Sequence, residues 1–262
     1  MDMLADAASA ERLIGFAGIA DPFSSISHLL GACLFLCLAP RLIRRGRGSS
    51  GRLLALTVFA LSCAMLLIAS GVYHLAPQGT AERAFLRRLD HGAIFILIAG
   101  TFTAAHAILF TGFWRWGMIT LIWVLAAVGV VAKVFFFEDV SEAVGLAFYL
   151  GMGWVGVASG VRVMQLYDWH LLRLLLAGGL AYTVGAVLEF LRWPNLAPGI
   201  LGPHELFHLC VLIGVAAHWE FLLRCTDDGF VVHAQRRAAA EAEAEAEGDT
   251  EAVDVRPEPL VQ

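Results

Sequence analysis

Charged residues are scarce in this chain of 262 residues: 16% are charged, 59% are hydrophobic, and the mean hydropathy is +0.73. A water-soluble domain needs more polar surface than this composition supplies. The composition therefore excludes an ordinary soluble globular protein and predicts an integral membrane protein.

A large basic surface is also missing. Residues 226–262 contain 3 basic and 10 acidic residues, and residues 1–225 contain 15 and 13, so the net charges are −7 and +2. Nucleic-acid binders need clustered Lys and Arg, which excludes nucleic acid as a partner. The acidic segment alternates Ala and Glu at 238–247 and offers no apolar face, so we predict a disordered or singly helical tail at 224–262.

The cysteines do not form a disulfide pattern. There are five of them, an odd number, and they are scattered along apolar runs or next to one. We interpret them as small apolar packing residues. Residues 1–12 lack the basic region and cleavage site of a secretory leader, and none is predicted.

Apolar stretches of the length that crosses a hydrocarbon layer of about 30 Å as a helix recur along the chain. Runs such as 53–67 show no alternation of the kind that barrel strands need. We predict an all-α, polytopic bundle of seven transmembrane helices at 23–223, preceded by an N-terminal segment at 1–22. The first stretch is the shortest and requires its preceding apolar run or local thinning of the bilayer. The predicted spans are 23–40, 53–76, 90–112, 116–137, 142–161, 170–191 and 204–223.

Helix parity sorts polar residues to one membrane face or the other. Face X is defined as the side on which the first span begins, and face Y as the opposite side. Histidines from four different spans converge on face X, and intramembrane ionisable groups mark functional sites by default. Glu189 and three other histidines are assigned to face Y. The three histidines, His106, His170 and His218, are interpreted as packing residues. The face X residues are His28, Ser70, His74, Asp90, His91, His204 and His208.

The spacing of these histidines predicts a metal site. His204 and His208 are four residues apart and stand on one helix face, and His74 from an antiparallel span supplies a third imidazole at the same depth. Three protein ligands with an open fourth position are typical of catalytic zinc. Ser70 lies one turn from His74, and Asp90 on the next helix is positioned to orient or deprotonate water. Candidate residues behind the ligands are His28, His91 and Glu205.

Each of these assignments has a competing interpretation. Asp90 also suits the N-cap of the third helix, and Ser70 also suits helix packing. The string from His204 to His208 reads His-Glu-x-x-His, which is the motif of zinc proteases, including intramembrane ones. Two features disfavour a protease: no carboxylate follows His208 closely, and Pro203 places Glu205 in the first helical turn, where an acid is favoured electrostatically.

Several of these motifs together resemble the bacterial hemolysin III proteins, within the wider progestin and adiponectin receptor family of seven-helix membrane proteins. The resemblance covers about residues 20–223. Its motifs are Ser-Ser-Ile-Ser-His-Leu-Leu-Gly at 24–31, Ser-x-x-x-His at 70–74, Leu-Arg-Arg-Leu-Asp-His at 86–91 with Ile-Ala-Gly-Thr-Phe-Thr at 98–103, and His-Glu-Leu-Phe-His at 204–208. Where the family usually has Glu and Asn before its first histidine, this chain has Asp21 and Ser24.

The resemblance implies a bacterial plasma (inner) membrane protein that holds Zn²⁺ with His74, His204 and His208, with Asp90 and Ser70 beside the ion. Alkaline ceramidases are similar in this constellation, which implies hydrolysis of an amide in a membrane lipid, or a part in membrane homeostasis. The lipid is then substrate or ligand.

Two other functions compete with hydrolysis. One is a non-catalytic receptor or sensor, and the other is a haemolysin-like pore, ranked last because the polar residues of face Y do not align with those of face X. Two indications of how the protein is oriented in the membrane disagree. Basic residues favour face Y in the cytoplasm, whereas the receptor branch of the family has its N-terminus and zinc site inside.

Overall fold

The computed structural model describes residues 19–167 and 169–227, except for the side chain of His170. The predicted N-terminal segment before residue 19, the predicted tail beyond residue 227 and His233 lie outside the described residues. Within the described ranges the chain is almost entirely helical, and Ala197 and Leu201 form an isolated β bridge.

Within the described ranges, eight helices build seven membrane spans, which confirms the predicted all-α bundle. Helices α5, Glu142–Trp154, and α6, Gly156–Leu166, are separated only by Val155 and form one span. Every span is long and apolar enough to cross a bilayer, so the protein is a multi-pass membrane protein. The helices are α1 Pro22–Arg44, α2 Ser50–Leu75, α3 Ala81–Leu109, α4 Gly112–Phe135, α5 Glu142–Trp154, α6 Gly156–Leu166, α7 Trp169–Leu191 and α8 Pro203–Cys225.

Two predicted boundaries were wrong. Helix α1 continues to Arg44 and has 23 residues, so it needs neither the preceding run nor a thinner bilayer. Helix α3 begins at Ala81, where the Thr80 hydroxyl accepts a hydrogen bond from the backbone of Arg83. Asp90 therefore lies inside α3 and is not its N-cap. Hydropathy missed the last turn of α1 and the first turns of α3 because both contain arginines. An arginine extends its charged end to the interface while its apolar stem remains along the helix.

Apolar side chains cover the outside of the bundle. Leu30 and Leu54 are each 65% exposed, and Phe113 is 77% exposed. Exposed apolar surface of this extent is unfavourable in water and favourable in lipid. The bundle therefore turns apolar groups outward and keeps its polar side chains inside.

Close packing holds α1 against the two helices that carry the candidate metal ligands. A methyl group at Gly71 of α2 would lie 2.6 Å from Cγ of Leu29, and one at Gly31 of α1 would lie 2.6 Å from Cδ2 of Leu212 on α8. The Ser25 hydroxyl donates a hydrogen bond to the Gly71 carbonyl over 2.9 Å. Small residues at such contacts let helix backbones approach closely in membranes.

Gly71→Ala should lower the melting temperature of the detergent-solubilised protein, because the added methyl overlaps Leu29 and forces α1 away from α2. The expected loss is about 1–3 kcal/mol. Gly151→Ala is the matched control, since a methyl there meets nothing within 4 Å. Equal melting temperatures of the two variants would contradict the proposed close contact.

Candidate metal centre

Three imidazole rings meet where α2 ends and α8 begins. The Nε2 atoms of His74 and His204 are 3.2 Å apart, and those of His204 and His208 are 3.0 Å apart. One nitrogen from each ring lies within 4.8 Å of the others, and His74 and His208 are buried. The spacing of four residues on α8 places two rings on one face, and the antiparallel α2 supplies the third. This group could hold a metal ion.

Two of the rings are oriented by carboxylates. Nδ1 of His74 lies 2.7 Å from Oδ2 of Asp21, and Nδ1 of His204 lies 3.0 Å from Oε1 of Glu189. An ionised carboxylate can only accept a hydrogen bond, so each Nδ1 carries the proton and each Nε2 keeps its lone pair. These lone pairs face the common centre, as ligands of a metal ion require.

The third ring is oriented by another histidine. Nε2 of His28 lies 3.3 Å from the His208 carbonyl and must donate to it, so the acceptor for Nδ1 of His208 is Nδ1 of His28, 3.1 Å away. Both rings are buried. With His208 as the donor, its Nε2 also presents a lone pair to the centre. Each candidate ligand therefore has a different partner behind it, which is the arrangement that fixes metal-binding histidines.

The nitrogen separations fit a metal ion. Lone pairs repel one another at 3.0–3.2 Å unless positive charge lies between them. Two nitrogens bound to one tetrahedral ion at about 2.1 Å are separated by roughly 3.4 Å. Imidazole nitrogen suits transition metals, whereas magnesium and calcium prefer oxygen. The donor set and its spacing thus match a transition-metal ion.

Asp21 joins the metal centre to three helices. It precedes α1, accepts from His74 at the end of α2, and forms an ion pair with Arg83 of α3. Its own backbone N–H donates to the His74 carbonyl over 3.1 Å. Burial alone would raise the pKa of Asp21, but the hydrogen bonds from His74 and Arg83 outweigh it and lower the pKa to about 2. Asp21 is therefore an anion at all physiological pH values.

The predicted Ser70 and Asp90 are both buried, and Ser70 lies one helical turn before His74 on α2. Both line a cavity of about 990 Å³, which His204 and His208 also line. The structure thus brings two of the three predicted ligands to one cavity with the predicted acid and hydroxyl.

The other two predicted residues have other partners, although His91 lines the same cavity and its Nδ1 lies 3.7 Å from Oδ2 of Asp90. Nδ1 of His91 lies 2.8 Å from the Arg87 carbonyl instead of touching a candidate ligand. Glu205 accepts from the Gly202 backbone over 2.9 Å and from the Ser24 hydroxyl over 3.3 Å. Glu205 therefore stabilises the start of α8 and its contact with α1. This engagement disfavours the protease, in which the motif's Glu must act as the general base.

The assignment of Glu189 to face Y was wrong, and so was the expectation that the polar groups of the two faces do not align. Glu189 binds His204 and lies at face X, because the sixth span returns from Y to X and Glu189 occupies its last turn. The order of the spans along the sequence is enough to assign Glu189 to face X. His106 and His218 do lie toward face Y, yet they line the same cavity as His204. The polar groups of the two faces therefore share one cavity, contrary to the expectation that they do not align.

Known proteins are similar to this chain over the whole bundle. The family model for haemolysin-III related proteins matches residues 16–219. Hemolysin-3 of Bacillus cereus is 34% identical over 195 residues, which are 74% of this chain and 85% of that protein. The Hemolysin-3 homolog of Bacillus subtilis (strain 168) is 28% identical over 196 residues, or 74% and 88% of the two chains.

Asp21→Asn and Glu189→Gln should each weaken zinc binding about 10–100-fold, because each replaces the carboxylate that orients a histidine. The measurement is competition with a chelating dye on purified protein. Glu220→Gln is the control, because Glu220 pairs with the exposed Arg224 at the other end of α8. Zinc affinity that stays the same in all three variants would show that these carboxylates do not support the ligands.

Proposed function

The chain belongs to the haemolysin-III related family of membrane proteins, and on that premise we propose that it is a zinc-dependent hydrolase of a lipid amide. One observation carries the proposal: three imidazole nitrogens converge, and two of the three rings, those of His204 and His208, line a cavity that a buried carboxylate and a hydroxyl also line. That combination supplies a metal ligand set, a base and a hydrogen-bond donor at one point of an apolar chamber.

Zinc is the ion proposed for His74, His204 and His208. Three imidazoles with an open fourth position are typical of catalytic zinc, and the buried donor set contains no oxygen ligand that would favour magnesium. When bound, such an ion lowers the pKa of water to about 7 and polarises a carbonyl group.

Asp90 and Ser70 are proposed to handle the proton and the developing charge. In amide hydrolysis, water adds to the carbonyl carbon, the C–N bond breaks, and the amine leaves with a proton. Asp90 takes the proton from the attacking water and delivers it to the leaving nitrogen. Ser70, beside Asp90, donates a hydrogen bond to the oxyanion.

The cavity supports a lipid as the substrate or ligand. Its volume of about 990 Å³ suits a molecule larger than a metabolite, and most of its lining is apolar. Helices α5 and α6 line it, and Val157 and Val161 of α6 belong to the lining and are also exposed at the surface of the bundle. An acyl chain in this cavity would place its carbonyl group at the metal centre.

A pore is the second candidate, because the cavity contacts polar groups of both faces. In a pore, ions would move along the cavity between His204 and His106. Ion flux through reconstituted liposomes that survives the triple replacement of His74, His204 and His208 by Ala would favour the pore over the hydrolase. Flux absent from the wild-type protein would remove this candidate.

Purified wild-type protein should contain about one zinc ion per chain after extensive dialysis, and His74→Ala should contain almost none, because it removes one of three ligands. Metal analysis of both proteins makes the measurement. The same negligible zinc content in both would make the histidines a structural polar cluster and end the proposal.

Asp90→Asn should retain zinc and lose turnover by roughly 10²–10⁴-fold, because the amide keeps the shape of the side chain but accepts no proton. The substrate is sought by lipidomics of cells that carry wild type or His208→Ala, in which an amide-linked lipid should accumulate. Loss of zinc from Asp90→Asn would make Asp90 a supporter of the ligands. Identical lipid profiles with an intact zinc site would favour the non-catalytic sensor.

A further inference from the structure

Five arginines occur together at face Y, around the turn between α1 and α2. The segment from 41 to 52 contains no acidic residue, so its net charge is +5. It is named the basic loop, and its arginines are Arg41, Arg44, Arg45, Arg47 and Arg52. In the part of the chain that the structure describes, Arg41, Arg44 and Arg47 are exposed and have no carboxylate within ion-pair distance. Positive charge of this density at a membrane surface attracts an anionic partner.

Short backbone contacts fix the shape of the basic loop. A methyl group at Gly46 would lie 2.7 Å from Cα of Leu53, so the turn packs directly against the backbone of α2. The Gly46 N–H donates to the Ile43 carbonyl over 2.9 Å, and the Ser49 N–H donates to the Gly46 carbonyl over 3.2 Å. The arginines therefore extend from a fixed backbone, which reduces the conformational entropy that is lost when a partner binds them.

The end of α8 lies beside the basic loop. Asp227, the first acidic residue after α8, forms an ion pair in which its Oδ2 lies 3.6 Å from Nη1 of Arg45. Thr226 is buried, and its hydroxyl donates to the Leu222 carbonyl over 2.7 Å, which fixes the point from which the chain continues. The chain beyond α8 therefore starts at the basic loop, in contact with one of its arginines.

The sequence beyond α8 supplies the opposite charge. Residues 241–254 contain seven acidic residues and no basic one, so their net charge is −7. Fourteen residues (241 − 227) lead from Asp227 to Glu241, which is about 21 Å as a helix and roughly 20 Å as a random coil. Either conformation is long enough to bring this segment back to the basic loop. Arg236 and Arg237 carry the sign of the basic loop, so its match is the acidic segment that follows them.

Two kinds of anion compete for the basic loop: the carboxylates of residues 241–254 and the headgroups of anionic lipids. Tethering favours the carboxylates, because a short connection gives an effective concentration in the millimolar range. Single exposed ion pairs are weak, so several must act together, and seven carboxylates opposite five arginines provide them. The ion pair between Arg45 and Asp227 already joins the basic loop to the chain that leads to these carboxylates.

We propose that residues 241–254 bind the basic loop and cover its arginines at face Y. The partner of the basic loop is thus a segment of the same chain, which is recognised through its charge. When bound, this segment keeps anionic lipid headgroups away from the arginines. The proposal is independent of the hydrolase, since the basic loop and the metal centre lie at opposite faces and share no residue.

The test is carbodiimide crosslinking of the full-length protein in an uncharged detergent. The reagent joins a carboxylate to an amine, and the chain's only lysine, Lys133, is buried at the face X end of α4. Arg47→Lys keeps the charge of the basic loop and adds an accessible amine there. Mass spectrometry of the tryptic peptides of the monomer should find this amine joined to residues 241–254. Raising the salt from 0.1 to 1 M should lower the yield at least about threefold, because the Debye length falls from about 10 Å to 3 Å.

The matched control is Arg47→Lys combined with Arg41→Gln and Arg44→Gln. It keeps the new amine at the same distance from the acidic segment but removes two exposed positive charges. The crosslink should form about threefold less in this control, as the loss of two weak ion pairs predicts. Melting temperatures report whether both proteins fold. If Arg47→Lys unfolds, Arg44→Lys is measured in its place, with Arg41→Gln and Arg47→Gln as its control.

Equal yields in the variant and its control, a yield that salt does not lower, or crosslinks confined to Asp227 and Asp228 would overturn the proposal. So would the absence of any crosslink. The reaction is then repeated in nanodiscs of phosphatidylcholine with and without phosphatidylglycerol, and the crosslink should persist in both. Its loss from the nanodiscs that contain phosphatidylglycerol would assign the basic loop to anionic headgroups, and its loss from both would equally reject residues 241–254 as the partner.

Discussion

Three imidazole nitrogens lie 3.0–3.2 Å from their nearest neighbours inside an apolar bundle. The arrangement of the residues around them depends on offsetting the repulsion between these nitrogens. Neutral rings in this geometry direct lone pairs at one another, and the nitrogens are too close for a water molecule to separate them. Positive charge at the centre resolves the repulsion. The carboxylates of Asp21 and Glu189 behind two of the rings then face a cationic group, which offsets the cost of burying them.

The same contacts assemble the bundle. His74 is on α2 and His208 on α8, while the groups that orient the ligands come from α1, from the residue before it, and from α7. Asp21 adds α3 through Arg83. Five helices thus meet around one cluster at face X, so each helix end is positioned by a polar contact that lipid cannot replace. Close packing at Gly31 and Gly71 lets α1 approach both helices that carry the ligands.

The cavity gives this cluster a chemical use. Its wall is largely apolar, but polar groups occur near each end: Asp90 and Ser70 beside the histidines, and His106 and His218 toward face Y. An amphiphile whose carbonyl group meets the metal centre fits that distribution.

The sequence by itself determined the seven spans and gathered the histidines, because hydropathy reports membrane depth and span parity reports the face. From these two quantities, His74, His204 and His208 were assigned to one layer with Ser70 and Asp90. Span parity also places Glu189 at face X, so its assignment to face Y is wrong.

Only the tertiary structure decided which side of each helix faces which neighbour. Packing sets the rotation of each helix about its axis and the contacts between distant segments. The depth of a residue in the membrane carries no information on either. Glu205 and Glu189 both lie at face X, yet Glu205 faces α1 and stabilises the start of α8 while Glu189 holds His204. The pairing of Asp21 with His74 spans 53 residues and depends on the folded contact between α1 and α2.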